Sequence, residues 1–349
     1  MTNSNHSAWY EKTSADLDLN AQALAASRQS QLTKPPGSLG RLEDVALQFA
    51  AWQGGELPVI NNVSIRIFAA DHGVCAQQVS AFPQEVTHQM IANFSDGGAA
   101  ISVLSHQLGA DLKTINMGTV NSLPEMRDVI DVQLVAGTED FTCRPAMQED
   151  IMQRALLAGA EQVDCSADLL VGGEMGIGNT TSAAAIIAAL LDLPARETVG
   201  RGTGVDDDGI SRKVEVIENA LQLHNTCGSE PLEVMRCVGG LEIAGLVGYY
   251  IKAAQEGVPV VIDGFICTAA ALLATRINPT TRQWMLFAHT SAEQGHAAAL
   301  SALAAKPLLD MKMRLGEGSG AATAIPLLRL AVALHAQMAT FDEAGVSDG

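Results

Sequence analysis

The sequence predicts an α/β protein in which a parallel β-sheet carries helices on both faces. From Val63 onward, short β-branched runs alternate with longer stretches rich in Ala and Leu, and such alternation indicates parallel strands joined by right-handed crossovers. The 349 residues are enough to bury a large core without disulfide or metal support. With 48% apolar and 17% charged residues, the composition excludes intrinsic disorder over most of the chain.

Seven segments have the pattern of strands, the last of them only weakly. They are residues 63–69, 111–116, 132–135, 169–172, 259–262, 285–288 and 311–315. The helices predicted between and after them are residues 180–191, 210–224, 241–254, 292–304 and 322–337. This spacing predicts a sheet that is wound in both directions from a central strand.

The region before residue 61 has no convincing strand. Residues 15–32 and 41–53 are predicted as helices, separated by a turn at Lys34-Pro35-Pro36-Gly37. We therefore expect residues 1–60 to form a small helical domain, joined by a C-terminal helix at about 322–340. Residues 61–321 would then form the large α/β domain.

Charge and composition exclude several kinds of partner. The 39 acidic and 21 basic residues give a net charge of −18, a surface that would repel nucleic acid. None of the six cysteines is part of a CxxC pair and the first seven residues are polar, so we expect a reduced, cytoplasmic protein with buried thiols. The longest apolar stretch, residues 183–191, is far shorter than a membrane span.

Three glycine-rich loops are candidate ligand sites. Two of them follow predicted strands, which is where ligands bind in sheets of this class, and the other precedes a helix. The first, GGEMGIGNTT at residues 172–181, contains Glu174, Gly176, Gly178 and Asn179 and leads into a helix. Glycines allow a ligand to approach the backbone, and the free amides of a helix start favour an anion such as phosphate. A tight turn capped by Thr180 is the alternative, but it leaves Glu174 unexplained.

The second loop, GRGTGVDDD at residues 200–208, precedes a helix that carries Lys213. Arg212 and Lys213 lie in the first turns of this helix, where cations oppose the helix dipole unless an anion faces them. Arg201 in the loop and Lys213 are kept as candidate phosphate ligands. The alternative is that these cations form salt bridges with the aspartates at residues 206–208.

The third loop places the single carboxylate of Glu317 between glycines, after the weak strand and before an apolar helix. Packing does not explain such a carboxylate, and a general base that faces a substrate does. Asp71 and His72 form either a catalytic dyad or, as we favour, a capping aspartate beside a packed histidine. His289 and His296 are too far apart for a zinc pair and no third ligand is evident, so we predict no metal site.

Several longer motifs agree on one family. They are KPPGSLGRLEDVA at residues 34–46, AADHGV at 69–74, VSAFP at 79–83, VTHQM at 86–90, GGAAI at 97–101, GEMGIGNTT at 173–181, GRGTGVDD at 200–207, DGFI at 263–266 and RLGEGSGAA at 314–322. In this order they resemble the nicotinate-nucleotide–dimethylbenzimidazole phosphoribosyltransferases, from about Thr33 to Ala324.

The resemblance implies a Rossmann-like sheet beside a small helical domain, in a homodimer without a cofactor or metal. It also implies transfer of ribose 5-phosphate from nicotinate mononucleotide to 5,6-dimethylbenzimidazole. The products would be α-ribazole 5′-phosphate, for the lower ligand of cobalamin, and nicotinate. Attack on the face opposite nicotinate would invert C1′ in a single displacement.

Carried over residue by residue, the resemblance makes Glu317 the catalytic base. The expected phosphate and ribose ligands, including candidates from the loops, are Glu174, Gly176, Gly178, Asn179, Arg201, Gly202, Thr203, Gly204 and Lys213. The expected benzimidazole-binding residues are Ser80, Phe82, Gln89 and Leu315. His88 stands where a small or apolar residue is expected.

Two other functions fit parts of the pattern. A nucleotide or phosphate sensor on the same scaffold would use the glycine loops to bind a ligand without reaction. A dehydrogenase is disfavoured, because no dinucleotide fingerprint follows the first strand. A sensor would bind nicotinate mononucleotide but never consume it.

Overall fold

The structure is a computed structural model that describes residues 8–226 and 228–347. The first seven residues of the predicted helical domain and Cys227 lie outside these ranges. In the described residues one six-stranded sheet, parallel throughout, has the order β3-β2-β1-β4-β5-β6. The strands are β1 (Val63–Ala70), β2 (Asp111–Gly118), β3 (Val129–Asp131), β4 (Leu169–Met175), β5 (Val260–Ile262) and β6 (Met285–Phe287).

Helices connect and flank the strands. In chain order they are α1 (Leu19–Gln31), α2 (Arg41–Gln53), α3 (Val86–Ser95), α4 (Ala100–Leu108), α5 (Glu149–Ala160), α6 (Asn179–Leu191), α7 (Ala195–Thr198), α8 (Asp207–His224), α9 (Pro231–Val238), α10 (Leu241–Glu256), α11 (Phe265–Ile277), α12 (His296–Ala302), α13 (Ser319–Gln337) and α14 (Phe341–Ala344). Short 3₁₀ segments lie at Trp9–Glu11, Gly73–Gln77 and Pro279–Trp284.

Two hydrophobic cores lie on opposite faces of the sheet, because successive side chains of a strand point to opposite sides. On one face Phe68 of β1 packs with residues of α5, α6, α10 and α11. On the other face Ile67 of β1 packs with residues of α2, α3, α4 and α13. The predicted fold class is therefore confirmed. On this second face α1 contacts α2, and α2 contacts α13.

Helices α5 and α10 pack unusually closely, and glycines make this possible. A Cβ atom on Gly159 would lie 1.8 Å from the carbonyl oxygen of Gly245, and one on Gly248 would lie 1.9 Å from that of Leu156. The two backbones are therefore in direct contact, which holds α10 firmly beneath β1 and β4.

Two strand predictions were wrong. The third strand is Val129–Asp131, not residues 132–135, because Gln133 adopts a left-handed φ of 42° that ends the regular ladder with β2. Residues 311–315 form no strand either, since Lys312 has a φ of 57°. The helix predicted at residues 292–304 is shorter and begins at His296, after a turn.

Helix α13 is long and apolar enough to cross a membrane, and 56% of its most apolar window is buried within the protein. Its alanines and leucines pack against the sheet and α2. Such burial is typical of a core helix.

Candidate active site

A pocket of about 440 Å³ opens at the carboxyl ends of β4, β5 and β6. The strand order reverses between β1 and β4, and ligands bind beside such a switch point. All three glycine-rich loops reach the pocket. The predicted residues that line it are Phe82, Glu174, Gly176, Asn179, Gly202, Thr203, Leu315 and Glu317.

The remaining predicted residues lie outside this lining. Ser80 is just behind it, with its Oγ 3.0 Å from Thr203 Oγ1. Gln89 is exposed on α3. The guanidinium of Arg201 points to the surface and pairs with Asp207 at 2.6 Å, which is the salt-bridge alternative considered for that loop.

Gly178 and Gly204 contribute backbone conformation to the two phosphate-loop candidates. Gly178 has a φ of 97° and is the N-cap of α6, so the first helix turn follows a left-handed residue. Gly204 has a φ of 108°, and a Cβ there would meet no atom of the described chain within 4 Å. Neither Thr180 nor Asn179 caps α6, because the N-cap is a glycine.

Glu317 is held in an uncommon backbone conformation. Its φ is 62°, between Gly316 at 88° and Gly318 at 74°. The side chain is 7% exposed, and its Oε2 has no hydrogen-bond partner among the described residues. Burial, with a smaller contribution from the charge of Asp263, raises the pKa of Glu317 to about 7. A pKa near neutrality suits a group that must accept a proton.

The glycines around Glu317 allow its loop to touch β4. A Cβ on Gly316 would lie 2.3 Å from Glu174 Oε1, and one on Gly173 would lie 2.7 Å from the amide nitrogen of Gly318. Glu174 and Glu317 are thereby brought to the same end of the pocket.

Glu174 is buried and accepts a hydrogen bond from Asn179 Nδ2. Burial raises the pKa of Glu174 to about 8, and the neighbouring charges of Asp263, Glu242 and Glu317 act in the same direction. At neutral pH this carboxyl is therefore mostly protonated and can donate a hydrogen bond.

Lys213 lies fully buried behind the second loop. Its Nζ donates to Thr180 Oγ1 at 3.0 Å and to the carbonyl oxygen of Gly200 at 3.2 Å. Burial lowers the pKa of Lys213 to about 8, against the opposing effect of the Glu293 charge. This ammonium supplies positive charge behind the loop at Gly202, where an anion would be attracted.

Asp263, after β5, ties that strand to the third loop. Its Oδ1 accepts the amide hydrogen of Ala321 at 2.8 Å, at the start of α13, and lies 3.9 Å from His289 Nε2. Burial raises the pKa of Asp263. The carboxylate thus fixes the helix start that follows Glu317.

The two histidines weighed as metal ligands have other roles. His296 Nδ1 accepts from the amide of Ser291 at 2.8 Å, so its Nε2 carries the hydrogen and donates to Thr268 Oγ1 at 2.9 Å. Burial lowers the pKa of His296 to about 3, which keeps it neutral. Within residues 8–226 and 228–347, no group of three or more His, Cys, Asp or Glu is arranged to hold a metal ion.

Asp71 and His72 lie outside the pocket lining. Asp71 Oδ2 accepts the amide hydrogen of Val120 at 2.8 Å, so it braces the end of β2 instead of capping a helix. His72 Nε2 lies 2.7 Å from Glu242 Oε1, and both side chains are fully buried. The packed histidine was expected, but its buried acidic partner was not.

Several lining residues were missed from the sequence. An apolar wall is formed by Val86, Met90, Met175, Phe265 and Ile266. Val86 and Met90 are four residues apart on α3, a helical spacing that could have revealed a shared face. The missed polar residues include Glu293 and Arg314, and Arg314 Nη1 donates to the carbonyl oxygen of Gly202 at 3.2 Å.

Comparisons with known proteins bear on this pocket. A family model described as Phosphoribosyltransferase (DBI_PRT) matches residues 15–346. A nicotinate-nucleotide–dimethylbenzimidazole phosphoribosyltransferase of Pseudomonas putida is 54% identical over 345 residues, which cover 98% of both chains. The enzyme of that name from Pseudomonas aeruginosa is 52% identical, over 97% of this chain and 98% of its own. The crystal structure of CobT from Thermus thermophilus matches with a TM-score of 0.90 at 45% identity, over 95% of this chain and all of that one.

Proposed function

The chain belongs to this phosphoribosyltransferase family, and we propose that the pocket at the ends of β4, β5 and β6 is its active site. The protein transfers ribose 5-phosphate from nicotinate mononucleotide to 5,6-dimethylbenzimidazole. The products are α-ribazole 5′-phosphate, for the lower ligand of cobalamin, and nicotinate. The observation that carries the assignment of the site is Glu317, a buried carboxyl with an unpartnered oxygen in the described chain and a pKa of about 7.

The pocket has chemically different ends that suit the two substrates. The phosphate of the mononucleotide lies toward Gly202 and Lys213, where a buried ammonium and loop amides attract an anion. The benzimidazole lies against Phe82 and against Val86 and Met90 of the apolar wall. The reacting sugar carbon then lies between them, beside the carboxyls of the first and third loops.

The chemistry is a single displacement at C1′. The bond from C1′ to the pyridinium nitrogen breaks, and its electron pair stays on that nitrogen, so nicotinate departs as a carboxylate anion with a neutral ring. The imine nitrogen of the benzimidazole attacks the opposite face and inverts the carbon. Positive charge develops on the sugar in the transition state, and the ionised carboxylate of Glu317 beside it stabilises this charge.

Glu317 accepts the proton that the benzimidazole must lose. As the new bond forms, the second ring nitrogen becomes more acidic, and the ionised Glu317 takes its hydrogen. Base assistance of this kind contributes roughly 10²–10⁴-fold to the rate. Glu174, protonated at neutral pH, is available to donate a hydrogen bond to the sugar.

The test replaces Glu317 by glutamine and follows nicotinate release and product mass. We expect the kcat of Glu317→Gln to fall by at least about a hundredfold with the fold intact. Glu218→Gln, a substitution of the same kind on the exposed face of α8, serves as the control and should match wild type. Full turnover by Glu317→Gln would remove the proposed base. If wild-type protein bound the mononucleotide without releasing nicotinate, the sensor hypothesis would replace the enzyme.

We further propose that the enzyme acts in the cytoplasm as a homodimer. Phe82 and Leu315 are 53% and 58% exposed at the pocket, and a second copy would cover such apolar side chains. The five described cysteines are all free thiols, which suits a reducing compartment. Sedimentation that shows only a fully active monomer would contradict the dimer.

The contacts of α1 with α2 and of α2 with α13 support a small helical domain beside the large α/β domain at residues 61–321.

A further inference from the structure

A carboxylate lies at the end of the pocket where the substrate phosphate is expected. Glu293, in the loop between β6 and α12, is 8% exposed and lines the pocket. Its Oε1 accepts the amide hydrogen of Gly202 at 3.0 Å. Its Oε2 is buried and has no hydrogen-bond partner in the part of the chain that the structure describes. A buried carboxylate oxygen without a partner is costly, so its position needs a reason.

The groups around Glu293 form an anion site. A Cβ on Gly200 would lie 1.9 Å from Glu293 Oε2, so this loop wraps directly over the carboxylate. A Cβ on Gly202 would lie 2.6 Å from Thr180 Oγ1 and 3.2 Å from Lys213 Nζ, which brings the ammonium to the same loop. The charge of Glu293 acts on Lys213 and favours its protonated form. The Gly202 amide, the Thr180 hydroxyl and the Lys213 ammonium thus lie at one loop, and the Glu293 carboxylate is the anion bound there.

We propose that the Glu293 carboxylate occupies the phosphate subsite of the free enzyme and that the substrate phosphate must displace it from the Gly202 amide. The proposal rests on the proposed function, which places the phosphate at Gly202 and Lys213. Two anions cannot share one amide hydrogen and one ammonium without strong repulsion. Binding of the mononucleotide therefore requires the Glu293 side chain to turn away from the Gly202 amide.

This exchange makes Glu293 a residue that determines specificity for phosphate. A phosphate dianion carries more charge than a carboxylate and can replace it beside Lys213. A nucleoside without the phosphate cannot replace the carboxylate, so in its presence Glu293 keeps its hydrogen bond with the Gly202 amide.

The test measures binding of inorganic phosphate and of sulfate to the whole protein by titration calorimetry at pH 7. Sulfate is included because its charge does not change near this pH. Glu293→Gln removes the competing charge, so we expect both anions to bind roughly tenfold more tightly than to wild type. Glu218→Gln removes one charge from the exposed face of α8 and should leave both affinities unchanged. Equal or weaker binding to Glu293→Gln would overturn the proposal.

Two further variants complete the experiment. Glu293→Asp keeps the charge but draws it back from the Gly202 amide, so it should bind phosphate more tightly than wild type but less tightly than Glu293→Gln. It decides the question if the glutamine variant fails to fold, and weaker binding than wild type would again overturn the proposal. Lys213→Met tests the subsite itself and should weaken phosphate binding at least tenfold. If Lys213→Met has no effect, the proposed phosphate subsite is wrong. If it weakens binding but no Glu293 variant tightens it, only the role of Glu293 is wrong.

Discussion

Glu174→Gln should change how the stability of the protein depends on pH. The substitution keeps the shape of the side chain and an oxygen that can accept from Asn179 Nδ2, but removes the ionisable group. In the folded protein, burial raises the pKa of Glu174 from 4.5 to about 8. In the unfolded chain the same group has its ordinary pKa of 4.5.

The direction in which stability changes with pH depends on which state, folded or unfolded, binds more protons. Between pH 4.5 and about 8 the unfolded chain has lost the Glu174 proton and the folded protein has kept it. The folded state therefore binds more protons, so the free energy of unfolding falls as pH rises, by about 1.4 kcal/mol for each pH unit. This destabilisation is under about 1 kcal/mol at pH 5 and about 3 kcal/mol at pH 7. The variant lacks it, so its stability relative to wild type should increase by about 2–3 kcal/mol from pH 5 to pH 7.

Urea unfolding of both proteins at pH 5 and pH 7, at one protein concentration, measures this difference. The comparison between pH values cancels any constant effect of the amide on packing. Glu218→Gln, on the exposed face of α8, should show no such growth with pH. A difference between Glu174→Gln and wild type that is the same at both pH values would show that Glu174 is ionised in the folded protein, and the argument from burial would fail.

Three further results are expected. The kcat/KM of wild type should rise as pH passes about 7, since Glu317 must be ionised to accept a proton, and should fall above about 8 as Lys213 loses its charge. Values of kcat/KM that stay constant between pH 6 and 9 would contradict both assignments. Gly316→Ala should lower kcat at least about tenfold and the free energy of unfolding by about 1–3 kcal/mol, because residue 316 has a φ of 88° and its Cβ would lie 2.3 Å from Glu174 Oε1. A variant with the rate and the urea midpoint of wild type would refute the close contact. Lys213→Met should raise the KM for nicotinate mononucleotide at least about tenfold. Arg201→Ala should raise it less than about threefold, because the Arg201 side chain is paired with Asp207 at the surface. Similar KM values for the two variants would be inconsistent with this geometry.

The position of the first glycine loop could be predicted, because parallel strands end at the same edge of a sheet and this loop follows β4. The loop at 200–208 follows α7, and residues 311–315 before the third loop form no strand. The meeting of these two loops with the first therefore depends on contacts between residues distant in sequence. Glu174 and Glu317 could be singled out because each is a lone carboxyl among glycines, whose missing side chains cannot shield it. Packing of the sheet then required these glycines, as the contact of Gly316 with Glu174 illustrates.

Other features depend on contacts that no local pattern reveals. The strand predicted at residues 132–135 failed because a single left-handed residue, Gln133, ends the ladder, and its composition gives no sign of this. Glu293 was overlooked because its loop has an ordinary composition, and its partner Gly202 is 91 residues away. Arg201 was expected at the phosphate on charge alone, whereas the length of its side chain lets it reach Asp207 at the surface.

The arrangement of charge in the pocket explains how a protein of net charge −18 can accept an anionic nucleotide. Burial keeps Glu174 protonated at neutral pH, so this carboxyl does not repel the phosphate. Burial lowers the pKa of Lys213 only to about 8, so this lysine, which lies beside the Gly202 loop, is mostly charged at pH 7. In the proposed mode of binding, phosphate is therefore drawn toward Lys213, and the acidic N–H of the benzimidazole is drawn toward Glu317. A substrate pair that spans these two ends has its sugar carbon held between the attacking ring and the leaving ring, which is the alignment that a single displacement requires.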